Sequence, residues 1–201
     1  DDAVRETCKQ ELVKLQGGDA ENLKIWEKCV DLSKQGLQGI YDRLDVGFDH
    51  WYGESFYNDR LAPLVDEMLE SGVARESEGA VCVFFDGDAK LDDKPAIVRK
   101  ADGGFLYATT DLATIDFRVQ QWHADQIWYV VGAPQQLHFQ QIFEATRKRG
   151  QNPSMHHIAF GSILGEDRKL MKTRSGDNVQ LVDVLDEAVE RADRVIGEKN
   201  P

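Results

Sequence analysis

The run QIWYVVGAPQQLHFQQIFEATRKRGQNPSMHHIAF, residues 126–160, decides the fold class. Gln126–Val131 is nearly continuous apolar sequence, as expected of a strand covered on both faces. Gly132-Ala-Pro-Gln-Gln is a loop. Leu137–Arg149 carries Ile142, Phe143 and Ala145 at helical spacing, and Gly150–Pro153 break the helix. Met155–Phe160 is apolar again. A strand, a helix and a second strand in this order predict parallel pairing through a crossover.

Working outward, Phe105-Leu-Tyr-Ala reads as one more strand, with Thr109 or Thr110 capping a helix to Trp122. On the far side, Leu181–Gly197 is an amphipathic helix with Leu185, Ala188, Val189 and Ala192 on one face. The β-α-β-α-β-α order over 105–201 predicts an α/β fold with a right-handed, Rossmann-like parallel sheet. Residues 73–104 differ: short β-rich runs at Val73, Ala80, Ala96 and Gly104 are punctuated by Glu78-Gly79, Asp86-Gly87 and Asp102-Gly103-Gly104. Together with 49–72 they form an insertion, 49–104, with short antiparallel strands. Residues 1–48 read as a helical lead-in. One helix runs to Gln16 and stops at Gly17-Gly18. Asp19 caps a second, from Ala20 to Tyr41, packed on the first as a hairpin. Leu44–Phe48 is a candidate short strand. The aromatic and polar stretch His50–Asn58 is either a hydrophobic cover or a substrate lip, and a helix follows over Arg60–Ser71 with Gly72 beyond its end.

The 201 residues carry 36 acids against 24 bases, a formal net charge of −12. That opposes non-specific nucleic-acid binding over a broad surface. No apolar run approaches the length of a membrane span, and the N-terminus is no signal peptide. Cys8, Cys29 and Cys82 have neither metal-ligand spacing nor a disulfide framework, which suits a reducing cytoplasm. Neither a dinucleotide fingerprint nor a P-loop is present, nor a serine nucleophile elbow. The Asp86–Asp93 run lacks calcium-loop spacing, and no metal site is expected.

Ligands of such sheets bind beyond the carboxyl ends of the strands. Three loops meet that edge. Tyr107–Asp111 sets a carboxylate at a helix start, where it either caps the helix or accepts a cationic ligand. Gly132–Gln136 offers Gln135 and Gln136, with His138 beside them. Gly161–Gly176 offers Arg168, Lys169, Lys172 and Arg174, four cations in seven residues, which read either as a solvated surface turn or as a binder of nucleotide phosphates. An acid, neutral amides and a basic loop suit a cationic small substrate alongside nucleotide phosphates.

GGFLYATTDLATIDFR (103–118), HADQIWYVVGAPQQLHFQQIFEATRKRG (123–150) and FGSILGEDRKLMKTRSGDNVQLVDVLDEAVERA (160–192) closely resemble the catalytic domain of arginyl-tRNA synthetases, a class I family. ESFYN (54–58) and ESEGAVCVFF (76–85) share the resemblance, which covers about 45–201. It implies the C-terminal half of a class I catalytic domain, with ATP-dependent formation of arginyl-adenylate and transfer of arginine to tRNA(Arg). It implies arginine, ATP accompanied by Mg2+, and tRNA(Arg) through the full-length protein as partners. It also implies a cytoplasmic monomer with no tightly bound cofactor and no membrane association. Tyr107, Asp111 and Gln135 match the family's arginine-binding residues. His138, Gly161, Met171 and Lys172 fall to the ATP site, and LMKTR (170–174) is a degenerate second class I signature whose critical cation is Lys169, Lys172 or Arg174. Mobility is expected over 166–177. The first signature, H-x-G-H, is absent. It is expected upstream of Asp1, and no room remains after Pro201 for an anticodon-reading domain, so the chain alone is expected not to aminoacylate. The competing reading is a non-catalytic α/β binding module that retains arginine or nucleotide affinity. An unrelated nucleotidyl-transfer enzyme would require the matches at Tyr107, Asp111 and Gln135 to be coincidental.

Overall fold

A computed structural model describes residues 2–16, 18–161 and 180–199. The chain divides into two compact units, one from Asp1–His50 with Lys172–Pro201 and one from Trp51–Met171.

In the first unit, α1 (Asp2–Gln16) and α2 (Ala20–Arg43) form the expected hairpin. Gly18 turns the chain at φ +82°, a left-handed conformation that glycine adopts without a Cβ clash. Asp19 caps α2 by accepting from the Asn22 N–H at 3.0 Å, and this bond, the largest effect, holds its carboxyl below the usual value. Asn22 also donates to Glu11 across the hairpin. The hairpin is less packed than expected: α2 has no buried residue, and Trp26 and Leu37 of its apolar face are exposed. Leu44–Phe48 is a turn and coil, not a strand. Asp45 sits at φ +53°, where no strand can continue. Helix α6 (Leu181–Lys199) carries Asp186, paired with Arg43 at 2.7 Å.

In the second unit, a 3₁₀ turn, Glu54–Tyr57, leads into α3 (Asn58–Glu70). Leu61, Leu64, Val65 and Met68 recur along one face of α3 and are buried. Strands β1 (Ala74–Ser77), β2 (Ala80–Val83) and β3 (Ala96–Arg99) form the expected antiparallel meander, ordered β1-β2-β3. A bulge interrupts β2–β3: Val81 pairs with Arg99 and Cys82 with Ile97, so Val98 is the extra residue.

The predicted strand at Phe105–Ala108 is absent. Phe105 makes a single bridge to Arg99, and α4 (Tyr107–Trp122) starts at once. Thr109 does not cap. It lies inside the helix, fully buried, with its hydroxyl donating to the carbonyl of Val98, the residue at the bulge. A helix that begins at Tyr107 leaves no residues for a strand.

The parallel sheet of the described residues therefore has two strands, β4 (Gln126–Gly132) and β5 (Ser154–Phe160), in register from Gln126↔Ser154 to Gly132↔Phe160. Helix α5 (Gln136–Lys148) crosses between them. Among the described residues the two faces of the sheet differ in burial. Ile127 and Tyr129 are buried, whereas Trp128 and Val130 are 64% and 66% exposed, with Ile158 and Phe160 beside them in register. The meander, α3, α4, α5 and the inner sheet face share one core that includes Val65, Val83, Leu112, Ile115 and Ile142. The insertion and the α/β segment are thus packed together, and the change of sequence character at residue 104 is no gap in the core.

Candidate functional site

Helix α4 has two faces. Leu112, Ile115 and Phe117 look into the core. Tyr107, Thr110, Asp111, Thr114 and Arg118 recur at i, i+3, i+4, i+7 and i+11, one continuous stripe, and all five line a cleft of about 400 Å³. The end of β4 and the 3₁₀ turn Ala133–Gln135 close its other side with Tyr129, Val131 and Gln135. Tyr107, Asp111 and Gln135, joined in the sequence only by resemblance, thus meet on one cavity. Asp111 lies in the second turn of α4, not at its start, which removes the capping alternative.

Within the His50–Asn58 stretch some residues border the cleft and others pack against α4. Tyr52, Glu54 and Tyr57 line the cleft. Tyr52 stacks on Phe56 with centroids 4.1 Å apart, and Phe56 meets the ring of Phe117 edge-on at 5.2 Å, which fastens the lip to the back of α4.

Charge in the cleft is unequal. Glu54 and Asp111 bring two carboxylates and Arg118 one guanidinium, which sits over the Tyr129 ring at 5.3 Å. Among the described residues the buried Tyr129 hydroxyl has no hydrogen-bond partner of ordinary geometry, and burial pushes its phenol up, so it stays neutral beside the cleft. A cationic group would find two acids here.

His138, in the first turn of α5, binds Asp111: Nε2 lies 2.6 Å from Oδ2, with the two side chains 24% and 28% exposed. Gly161 follows β5 and is exposed. Lys169, Met171, Lys172 and Arg174, and with them the expected mobility over 166–177, lie outside the described residues. Residue-by-residue reading missed Thr114, Arg118 and Tyr129, and took in Glu54 only as part of the His50–Asn58 stretch. For Thr114 and Arg118 the signal existed, since both continue the Tyr107–Asp111 stripe. Glu54 and Tyr129 reach the cleft through tertiary packing alone.

Among the described residues, no group of three or more His, Cys, Asp or Glu could hold a metal ion, and no helix is long and apolar enough to cross a membrane.

The family of class I tRNA synthetases (R), catalytic domain, matches residues 1–201, extending the resemblance through the N-terminal helices. An arginine–tRNA ligase from Thermobifida fusca is 47% identical over 207 residues, covering 100% of this chain and 36% of that protein. One from Cellvibrio japonicus is 46% identical over 208 residues, with the same 100% and 36% coverage. The chain spans about a third of the length of the curated relatives it matches. Among solved structures, the arginyl-tRNA synthetase of Plasmodium falciparum matches with a TM-score of 0.80 at 27% identity, over 97% of this chain and 32% of that one. That of Thermus thermophilus, at 0.55 and 20% identity over 72% of this chain and 30% of its own, bears on the fold alone. The cleft, the fold around it and the match over the whole length agree: the chain belongs to the class I tRNA synthetase (R) catalytic-domain family.

Proposed function

We propose that this chain is the arginine-recognising part of an arginine–tRNA ligase. The whole protein joins arginine to ATP: a carboxylate oxygen of arginine attacks the α-phosphorus, pyrophosphate leaves, and the arginyl group of the adenylate then passes to tRNA(Arg). The observation that carries this reading is the meeting of Tyr107, Asp111 and Gln135 on one cleft that also holds Glu54. A guanidinium is planar, permanently charged and offers five donors in a fixed fork. Asp111 and Glu54 supply acceptors for it, Gln135 a neutral amide, and Tyr107 a phenol at the mouth, where it is 70% exposed.

For ATP the family resemblance supplies Gly161, Met171 and Lys172, and one cation among Lys169, Lys172 and Arg174 stabilises the charge that develops on the leaving pyrophosphate. Mg2+ enters with the ATP phosphates, which supply oxygen ligands of their own. His138 has Nε2 engaged with Asp111. In the neutral ring Nδ1 is then an acceptor, which suits a ribose hydroxyl or an adenine amine of ATP and not a phosphate. The protein works in the cytoplasm, as a monomer.

Calorimetric titration of the chain with arginine tests the reading. Binding is expected, with Asp111→Ala abolishing it and lysine, a point charge, binding far more weakly. Equal affinity for lysine and arginine, or no effect of Asp111→Ala, would rule out a guanidinium site here. A non-catalytic module remains the second reading, and it keeps the same cleft.

A further inference from the structure

The His138–Asp111 pair joins a residue that lines the cleft to one on the next helix. Asp111 comes from the second turn of α4 and His138 from the first turn of α5, 27 positions later. Their contact is short for a neutral pair and typical of a bond to a carboxylate. His138 Nε2 takes Oδ2, and among the described residues no hydrogen bond reaches Oδ1. The histidine is itself held: its ring meets Phe139 edge-on, centroids 5.1 Å apart at 76°, and Phe139 is buried in the core. A ring that rests on a core residue therefore bonds one oxygen of the cleft's acid. His138 does not line the cleft, whereas Asp111 does.

We infer that His138 is the positioning residue of this guanidinium site. It donates its Nε2–H to Asp111 Oδ2, fixes the tautomer of the ring and the rotation of the carboxylate, and leaves Oδ1 to receive the ligand. The inference rests on the reading of the cleft as an arginine site. Its consequence is selectivity. A forked guanidinium needs its acceptor held at one angle, because its N–H groups point in fixed directions. An ammonium ion accepts any angle. Orientation by His138 thus favours arginine over lysine beyond what the charge of Asp111 supplies. The pair makes no covalent change and moves no proton in this role.

The test combines three measurements on the 201-residue chain. Two-bond proton–nitrogen NMR of the free protein should show His138 protonated at Nε2, with that proton lost or shifted in Asp111→Asn. Calorimetric titration should show His138→Ala binding arginine about tenfold more weakly, the scale of one lost charge-assisted bond. Lysine affinity should change much less. His138→Gln, whose Nε2 donor has a similar reach, should recover most of the arginine affinity, which a purely structural defect would not allow. Should His138→Ala disturb folding, His138→Gln and the NMR spectrum still decide.

If arginine binds and Asp111→Ala abolishes it, yet His138→Ala leaves affinity and the arginine-to-lysine ratio unchanged, the positioning role is wrong and the arginine site stands. A ring protonated only at Nδ1 also overturns it. If the wild-type chain binds no arginine at all, the reading of the cleft fails and the role of His138 fails with it.

Discussion

Thr109 illustrates how much of the site rests on single atoms outside it. It lies between Tyr107 and Asp111 on the opposite face of α4. Its hydroxyl donates to the buried carbonyl of Val98, the extra residue of the β2–β3 bulge. A threonine at a helix start reads locally as a cap. Here the buried carbonyl offered the better partner, since an unsatisfied buried acceptor costs about 1–3 kcal/mol. Thr109→Val keeps the shape and deletes the donor. Urea denaturation is expected to show a loss of about 1–3 kcal/mol, with arginine affinity reduced because the first turn of α4 loosens. Thr109→Ser should retain most of both. Unchanged stability in the valine variant would mean that water or a rearranged backbone satisfies Val98 equally well.

Among the elements, α4 is the one on which the cleft depends, and it is held at both ends. Near its C-terminal half, Asp116 receives two bonds from Arg149, at 2.7 and 2.8 Å, and one from Gln151. Arg149 also reaches Glu67 of α3. The guanidinium is 2% exposed. Burial works against its charge, but the bonds and charges of Asp116 and then Glu67 outweigh it and hold Arg149 above its ordinary value. One buried fork thus ties α3, α4 and the end of α5 together. Arg149→Leu strands a mostly buried carboxylate and is expected to cost about 3–5 kcal/mol in urea denaturation. Pairing it with Asp116→Leu should restore much of that, because removing both charges removes the penalty. A single variant as stable as the wild type would show the network to be dispensable. The helices were largely readable from their periodicity and stops: α5 starts within a residue of expectation and Gly72 follows α3 in a left-handed turn at φ +74°. Phe105–Ala108 was not, because four apolar-rich residues suit a strand or the first turn of a buried helix equally.

At the scale of the molecule, the outer face of β4–β5 qualifies the first impression of a sheet covered on both sides. The run IWYVV is continuous in hydropathy, yet Trp128 and Val130 are exposed in this chain. The activity expected of the chain is similarly partial. Residues 1–201 contain no H-x-G-H. Arginine binding without tRNA charging is therefore expected, and arginine-dependent pyrophosphate exchange by the purified chain should be undetectable. Exchange above background would show that the signature is unnecessary for adenylate formation here.

Local order determined what local order can. Hydrophobic period and breakers marked α5 and its flanking strands, the antiparallel meander and the two N-terminal helices, because each depends on neighbours a few residues apart. The runs that contain Tyr107, Asp111 and Gln135 carried the family. Tertiary structure alone decided that Thr109 turns inward, that Glu54 joins Asp111 on one cleft and that His138 grips Asp111 from a different helix. Those partners lie eleven to tens of residues apart in the chain, and no periodicity encodes which distant polar group a buried donor or acceptor will find. Burial forces every such group to find one, and only the packed fold determines which.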